Sequence, residues 1–324
     1  MSKKRRKGGT GSGSRARAQL VQPPLVSKTE ERSKQSDASP RPGWLSRPPD
    51  PRWPSIPRSL GRGLLAVGSS PLVLGISFLF LFLAWAGLVG LGLEGPSGRL
   101  ATLACLPPVG TYFDWLNGLT IYGYGLQGLL AITGLLLVRS LFVAVMTGLV
   151  VQSLEGGGSG MEGVARGLRA YPVALAAGFL SMSMLMAGTV LLPALGGELA
   201  FLGSVLILIA ALFFFVFAPV AAVRERRGLV ETLRRSARAA MMPGSRHAIM
   251  STLYILVAFP ILVLFAPSGG DMTVNPGVME WAYGLVATFV HMGFLAAFAY
   301  RWMAIESEVP DQPVKRQPVS ARRK

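Results

Sequence analysis

The chain has 324 residues, 51% of them hydrophobic, and a formal charge of +16 from 32 Lys and Arg against 16 Asp and Glu. That composition fits one membrane domain with its own interior and no second folded domain, while the single cysteine, Cys105, excludes an intramolecular disulfide, a thiol cluster for zinc and a redox pair. The positive excess does not point to nucleic acid, because it lies in tails and loops where anionic lipid attracts each basic side chain by about 1 kcal/mol.

Residues 1–57 combine Lys, Arg, Ser and Gly with nine prolines and too few apolar side chains to form a core, so they read as a disordered basic tail. The run Lys3, Lys4, Arg5, Arg6, Lys7 resembles the start of a signal peptide, but no apolar core follows it until after Arg62. Within the tail, Arg47 to Pro57 has the proline spacing of a polyproline II segment, a form that a cytoplasmic protein partner can bind.

Residues 58–303 read as an all-α bundle of six transmembrane helices, and residues 304–324 as a basic C-terminal tail. The spans are Pro71 to Leu93, Leu119 to Val151, Val173 to Leu195, Leu199 to Val223, Ala248 to Ala266 and Trp281 to Tyr300. Each is near or above the roughly 20 residues that cross hydrocarbon as a helix. Thirty of the 32 basic residues fall on one side of this pattern, with only Arg99 opposite and Arg139 inside a span. By the positive-inside rule both termini face the cytoplasm. The abundance of Arg, Ala and Gly places the protein in a bacterial plasma membrane.

One unit recurs before three membrane hairpins: Arg58-Ser-Leu60-Gly-Arg62-Gly-Leu64, Glu162-Gly-Val164-Ala-Arg166-Gly-Leu168-Arg169 and Glu231-Thr-Leu233-Arg-Arg235-Ser-Ala237-Arg238. Each is followed by a proline: Pro71, Pro172 and Pro243. The units read as short basic amphipathic helices in the cytoplasmic interface, giving a threefold helix-plus-hairpin repeat. In the third, Leu229, Val230, Leu233, Ala237 and Ala240 are expected on one face. Arg166, Arg169, Arg234, Arg235 and Arg238 are the expected contacts for anionic headgroups, their stems covering apolar surface while the guanidinium groups reach phosphates.

Between the first two spans, Glu94 to Gly118 forms the longest outer loop, whose Tyr112, Phe113 and Trp115 suit an aromatic belt. Arg139 falls close to mid-depth of the second span, and no Asp or Glu lies within any span. Its partner must therefore be a carbonyl, a hydroxyl, water or an anion, which makes it the best candidate for an anion contact. His291, among Phe289, Val290 and Phe294, is a candidate intramembrane polar site or a packing residue, and His247 lies at the interface. Met182, Met184 and Met186 read as packing residues, and Pro219 and Pro260 as kinks in spans four and five.

Gly157-Gly158-Ser159-Gly160 with His291-Met292-Gly293 looks like the serine and histidine signatures of rhomboid intramembrane proteases. The glycine-rich segment, however, falls in a cytoplasmic loop, whereas a Ser-His dyad needs both groups at one depth. Residues 156–160 read as a flexible linker. The basic helix, proline and hairpin unit is similar to poorly characterised bacterial polytopic families, including the membrane domain attached to some glycerophosphodiester phosphodiesterases. The likeness is clearest over Pro219 to Phe265, with Arg224-Glu-Arg-Arg-Gly228 and Glu231-Thr-Leu-Arg-Arg-Ser-Ala-Arg238. In those relatives the hydrolase is a separate soluble domain with acidic and histidine metal ligands, which this sequence lacks. The resemblance implies a fold and a membrane role without phosphodiesterase activity.

The reading that follows is a non-enzymatic protein, without cofactor or metal, that engages envelope lipids or supports transport of a small or lipidic molecule. The alternative is a scaffold that docks a cytoplasmic partner through its tail and the Arg224 to Arg246 loop.

Overall fold

The computed structural model describes residues 53–90, 105–112, 126–157, 160–191, 196–263 and 277–309. All belong to one unit, Pro48–Lys324. Among the described residues the structure is all-helical, with α1 (Ile56–Gly68), α2 (Pro71–Gly90), α3 (Leu126–Leu154), α4 (Gly160–Leu191), α5 (Gly197–Phe215), α6 (Phe217–Arg224), α7 (Leu229–Ala240), α8 (His247–Val263) and α9 (Val278–Ile305).

Every apolar stretch anticipated from the sequence is helical where it is described. Four helical units, within α3, within α4, α5 with α6, and α9, are long and apolar enough to cross a membrane. The α1–α2 pair makes a fifth if its two arms, bent by 79°, form a single span. The bend has a local cause: Pro71 disfavours helical backbone at the residue before it and cannot donate a bond back into α1. At 17 residues, α8 is a shorter apolar helix, and the chain beyond Val263 lies outside the described residues until Gly277.

Proline acts differently at each position. Pro219 coincides with the α5–α6 break at Val216, where its ring opposes the carbonyl four residues earlier. Pro260 lies inside an unbroken α8, and Pro172 inside an unbroken α4. The segment Glu162 to Arg169 is therefore the first turns of α4, whereas the sequence suggested a separate interfacial helix. Close contact with α3 holds those turns in line. A Cβ on Gly167 would lie 2.5 Å from the Ala144 carbonyl oxygen and 2.7 Å from Val145 Cα, and one on Gly148 would lie 2.7 Å from the Gly167 nitrogen. Small residues let the two backbones touch, which matters where lipid offers helices no hydrophobic drive to associate.

The same device joins α1 to α9, where a Cβ on Gly63 would lie 2.6 Å from the Ala297 nitrogen. On α7 the buried side is Thr232, Arg235, Ser236, Ala239 and Ala240, while Leu229 and Val230 are 39% and 56% exposed. The expected apolar face is thus turned outward at its start, because Ser236 seats the helix by donating to the Phe214 carbonyl at 2.7 Å. Between α7 and α8 the chain reverses through Pro243, Gly244 at φ +77° and Arg246 at φ +47°. The core gathers around Met146, Phe217, Tyr254, Met292, Phe298 and Trp302.

Gly167→Val is expected to cost about 1–3 kcal/mol through overpacking. Gly134→Ala, where an added Cβ meets nothing within 4 Å, should leave the thermal midpoint in detergent unchanged or raised.

Candidate functional site

Halfway along the bundle, a short segment that is helical only over its last turn enters the core. Residues 105–112 were expected in an outer loop, yet Cys105, Leu106, Val109 and Thr111 are buried, and the segment passes through a cis Pro107–Pro108 peptide into one helical turn. Phe113 and Trp115 of the expected aromatic belt lie outside the described residues.

Polar groups on three helices receive the segment. Arg139 stands thirteen residues from the start of α3 and fifteen from its end, and His291 thirteen and fourteen residues from the ends of α9. At 1.5 Å per residue each is about 20 Å from either end of its helix. Arg139 Nη1 donates to the Cys105 carbonyl at 3.0 Å. Gly110 leaves the space for this, since a Cβ there would lie 2.5 Å from the guanidinium Cζ. From α8, Tyr254 Oη accepts the Leu106 N–H at 2.8 Å and lies 3.1 Å from His291 Nδ1. The other ring nitrogen, Nε2, lies 3.2 Å from Cys105 Sγ. Cys105, Tyr254 and His291 are fully buried and Arg139 is 2% exposed.

A cavity of about 20 Å³ borders the segment, lined among others by Leu106, Pro107, Gly178 and Ser181. That is room for about one water molecule. Among the described residues no group of three or more His, Cys, Asp or Glu could hold a metal ion.

The second concentration of function-bearing side chains is at the arginine-rich end. Arg166 binds Glu155 at 2.7 Å and Glu162 on its own helix. Arg224 bridges Glu155 and Glu306, joining the ends of α3, α6 and α9. Arg235, 5% exposed, pairs with Glu225 at 2.9 Å and donates to the carbonyls of Val309, at 2.9 Å, and Glu306. Arg238 reaches Glu231 at 3.1 Å. Of the five expected headgroup contacts, Arg166, Arg235 and Arg238 have carboxylate partners within the protein, whereas Arg169 and Arg234 are exposed.

Arg301 is also internal. It donates to the Pro54 carbonyl at 2.6 Å, to Ser59 Oγ at 3.3 Å and to the Ser245 carbonyl, with its guanidinium 5.3 Å from the Trp53 ring centre. His247 is buried, its Nε2 3.0 Å from the Phe213 carbonyl and its ring stacked on Phe217. Ser159 lies outside the described residues.

The sequence singled out Arg139 and His291 but passed over Tyr254 and Cys105 as site residues. Cys105 beside Pro107-Pro108 and a tyrosine in an otherwise apolar segment are the only cues, and neither signals that they meet. Comparison with protein-family models, curated proteins and solved structures finds no match to this chain.

Arg139→Leu is expected to lower stability by about 1–3 kcal/mol, because the Cys105 carbonyl loses its buried donor. Arg139→Lys should restore part of the loss, as read by thermal unfolding in detergent.

Proposed function

We propose that this is a non-enzymatic protein of the bacterial plasma membrane that binds anionic lipid headgroups at its arginine-rich end, where it supports the handling of a small or lipidic molecule. In this reading α8 and the bent α1–α2 arm complete six spans, and the arginine-rich end and both termini face the cytoplasm. One observation carries the lipid assignment: the arginines divide into two populations. Arg166, Arg224, Arg235 and Arg238 are joined to carboxylates, whereas Arg58, Arg62, Arg169, Arg226 and Arg234 are exposed and have no carboxylate partner among the described residues.

The exposed set stands beside exposed apolar side chains. Leu65, 67% exposed, accompanies Arg62 on α1, and Leu229 and Val230 lie between Arg226 and Arg234. Apolar groups able to enter the acyl boundary next to guanidinium groups able to reach phosphate describe an interfacial surface. Arg139 has a different place in this proposal. Enclosed by Cys105 and Gly110, it clamps the inserted segment and takes no part in anion binding.

A threefold repeat belongs to the same proposal. Aligning Arg62, Arg166 and Arg235 puts Gly63, Gly167 and Ser236 in register, and each of these small residues packs directly against a neighbouring helix. Arg166 and Arg235 also share a glutamate at or just beyond the end of the preceding helix, Glu155 and Glu225 respectively. Repeated helix docking would keep one basic surface along the end of the bundle.

The test is lipid retention by the full-length protein in nanodiscs of phosphatidylcholine doped with phosphatidylglycerol, read by native mass spectrometry. Each exposed arginine should contribute about 1 kcal/mol, so the combined Arg58→Gln, Arg62→Gln and Arg234→Gln variant should lose most of the phosphatidylglycerol selectivity. Arg166→Gln should keep it and change the melting point little, because its ion pairs are partly exposed. Equal retention of both lipids by the native protein would refute the proposal.

A further inference from the structure

Arg301 is a buried cation with no acid to meet. It is 1% exposed, and its guanidinium donates to the Pro54 carbonyl at 2.6 Å, to Ser59 Oγ at 3.3 Å and to the Ser245 carbonyl. Its Nε, also buried, has no hydrogen-bond partner. Carbonyls and a hydroxyl offset only part of a buried charge, whereas Arg235 has the carboxylate of Glu225.

The two carbonyls that share the Arg301 guanidinium each stand at the start of a helix. Pro54 precedes Ser55, the N-cap of α1, which makes no side-chain capping bond. Ser245 precedes Arg246, whose carbonyl accepts from the Met250 N–H in the first turn of α8. Helix starts carry partial positive charge and N–H groups that lack intrahelical partners. In α8 the His247 N–H is taken by Ser245 Oγ at 3.3 Å, but those of Ala248 and Ile249 remain, on exposed residues. Arg246 is also exposed, and it lies within electrostatic reach of Arg301 and repels it. Two guanidinium groups and two helix starts therefore converge, and neither arginine is joined to a carboxylate among the described residues. Uncompensated positive charge beside free backbone donors selects a phosphate group.

We propose that Arg246 and the first turn of α8, backed by Arg301 and the start of α1, form a binding site for one phosphate group. The phosphate oxygens accept from the Ala248 and Ile249 N–H groups and from the Arg246 guanidinium. Arg301, buried beneath the turn, acts through its field and by holding the Ser245 carbonyl. The phosphate belongs to an anionic lipid headgroup or is free in solution, and the lipid source rests on the proposed function above.

The full-length protein is placed in phosphatidylcholine nanodiscs with and without phosphatidylglycerol, and retained lipid is counted by native mass spectrometry. Arg246→Gln, an exposed change, should lower retention of one phosphatidylglycerol about fivefold. Arg246→Lys should keep most of it, since a point charge still binds phosphate. The combined Arg58→Gln, Arg62→Gln and Arg234→Gln variant should still retain this one lipid. A solution source is read in phosphatidylcholine alone: inorganic phosphate should raise the thermal midpoint of the native protein relative to chloride at equal ionic strength, and leave that of Arg246→Gln unmoved. Either difference supports the site and identifies its source. Phosphate protection in a native protein that shows no phosphatidylglycerol selectivity refutes the general lipid reading and leaves the site standing, supplied from solution. If native and Arg246→Gln proteins match in both measurements, the site is overturned, whatever lipid selectivity the other arginines confer.

Discussion

Backbone that enters an apolar bundle must find its hydrogen-bond partners inside the protein, because lipid offers none. Helices meet this requirement internally, and residues 109–112 do so in part, with the Gly110 and Tyr112 N–H groups donating to the Leu106 and Pro108 carbonyls, but the entry at Cys105 and Leu106 draws on other helices. The Leu106 N–H is satisfied by a tyrosine on α8 and the Cys105 carbonyl by an arginine on α3. Much of what is distinctive at mid-length follows from that need. Tyr254 requires a partner for its remaining valence, and His291 supplies it. Arg139 requires space, and Gly110 supplies that. The polar centre is thus tied to the backbone it supports, and removing any member leaves another buried polar group without its partner.

The arginine-rich end obeys a different constraint, since water and carboxylates are both within reach. There the helix ends are joined by ion pairs with side chains about a quarter exposed, such as Arg166 with Glu155 and Arg224 with Glu306. Pairs so placed contribute little individually to stability. Their geometric effect is larger, because Glu155 receives arginines from both α4 and α6 and Arg224 also reaches past the end of α9. This network engages those arginines with carboxylates and leaves Arg58, Arg62, Arg169, Arg226 and Arg234 exposed.

The extent to which this was legible in sequence depends on the range of the interaction. Helix positions follow from long apolar runs, and Arg139 could be placed near mid-depth, with a carbonyl among its permitted partners, from residue counting and the absence of acidic residues in the spans. The inserted segment could not be read in that way. It is too short and too proline-rich to carry a periodicity, and its partners Tyr254 and His291 lie 148 and 186 residues away from the atoms they meet. The pairing of Arg235 with Glu225 was equally hidden, because a charge count gives orientation but not partners. Nor did composition indicate that Pro172 would be absorbed into a continuous α4, since that depends on glycines of two helices meeting face to face.

Helix α9 connects the two regions. His291 reaches the inserted segment, Gly293 and Ala297 lie against Gly63 of α1, Arg301 holds the carbonyl of Pro54, and Glu306 closes the ion-pair network. These contacts fall along the length of one helix, so a shift of α9 along its axis would disturb all of them together. The backbone approach at Gly63 leaves no slack for such a shift, and Arg301 adds a charge-assisted anchor near the same end. Tyr254 lies on α8, which α9 meets through the Tyr283 hydroxyl donating to the Ile261 carbonyl at 2.5 Å. The geometry of the Cys105 centre therefore depends on two helices, α9 through His291 and α8 through Tyr254. Displacement of α8 is the motion that would separate Tyr254 from both Leu106 and His291 while leaving His291 beside the sulfur.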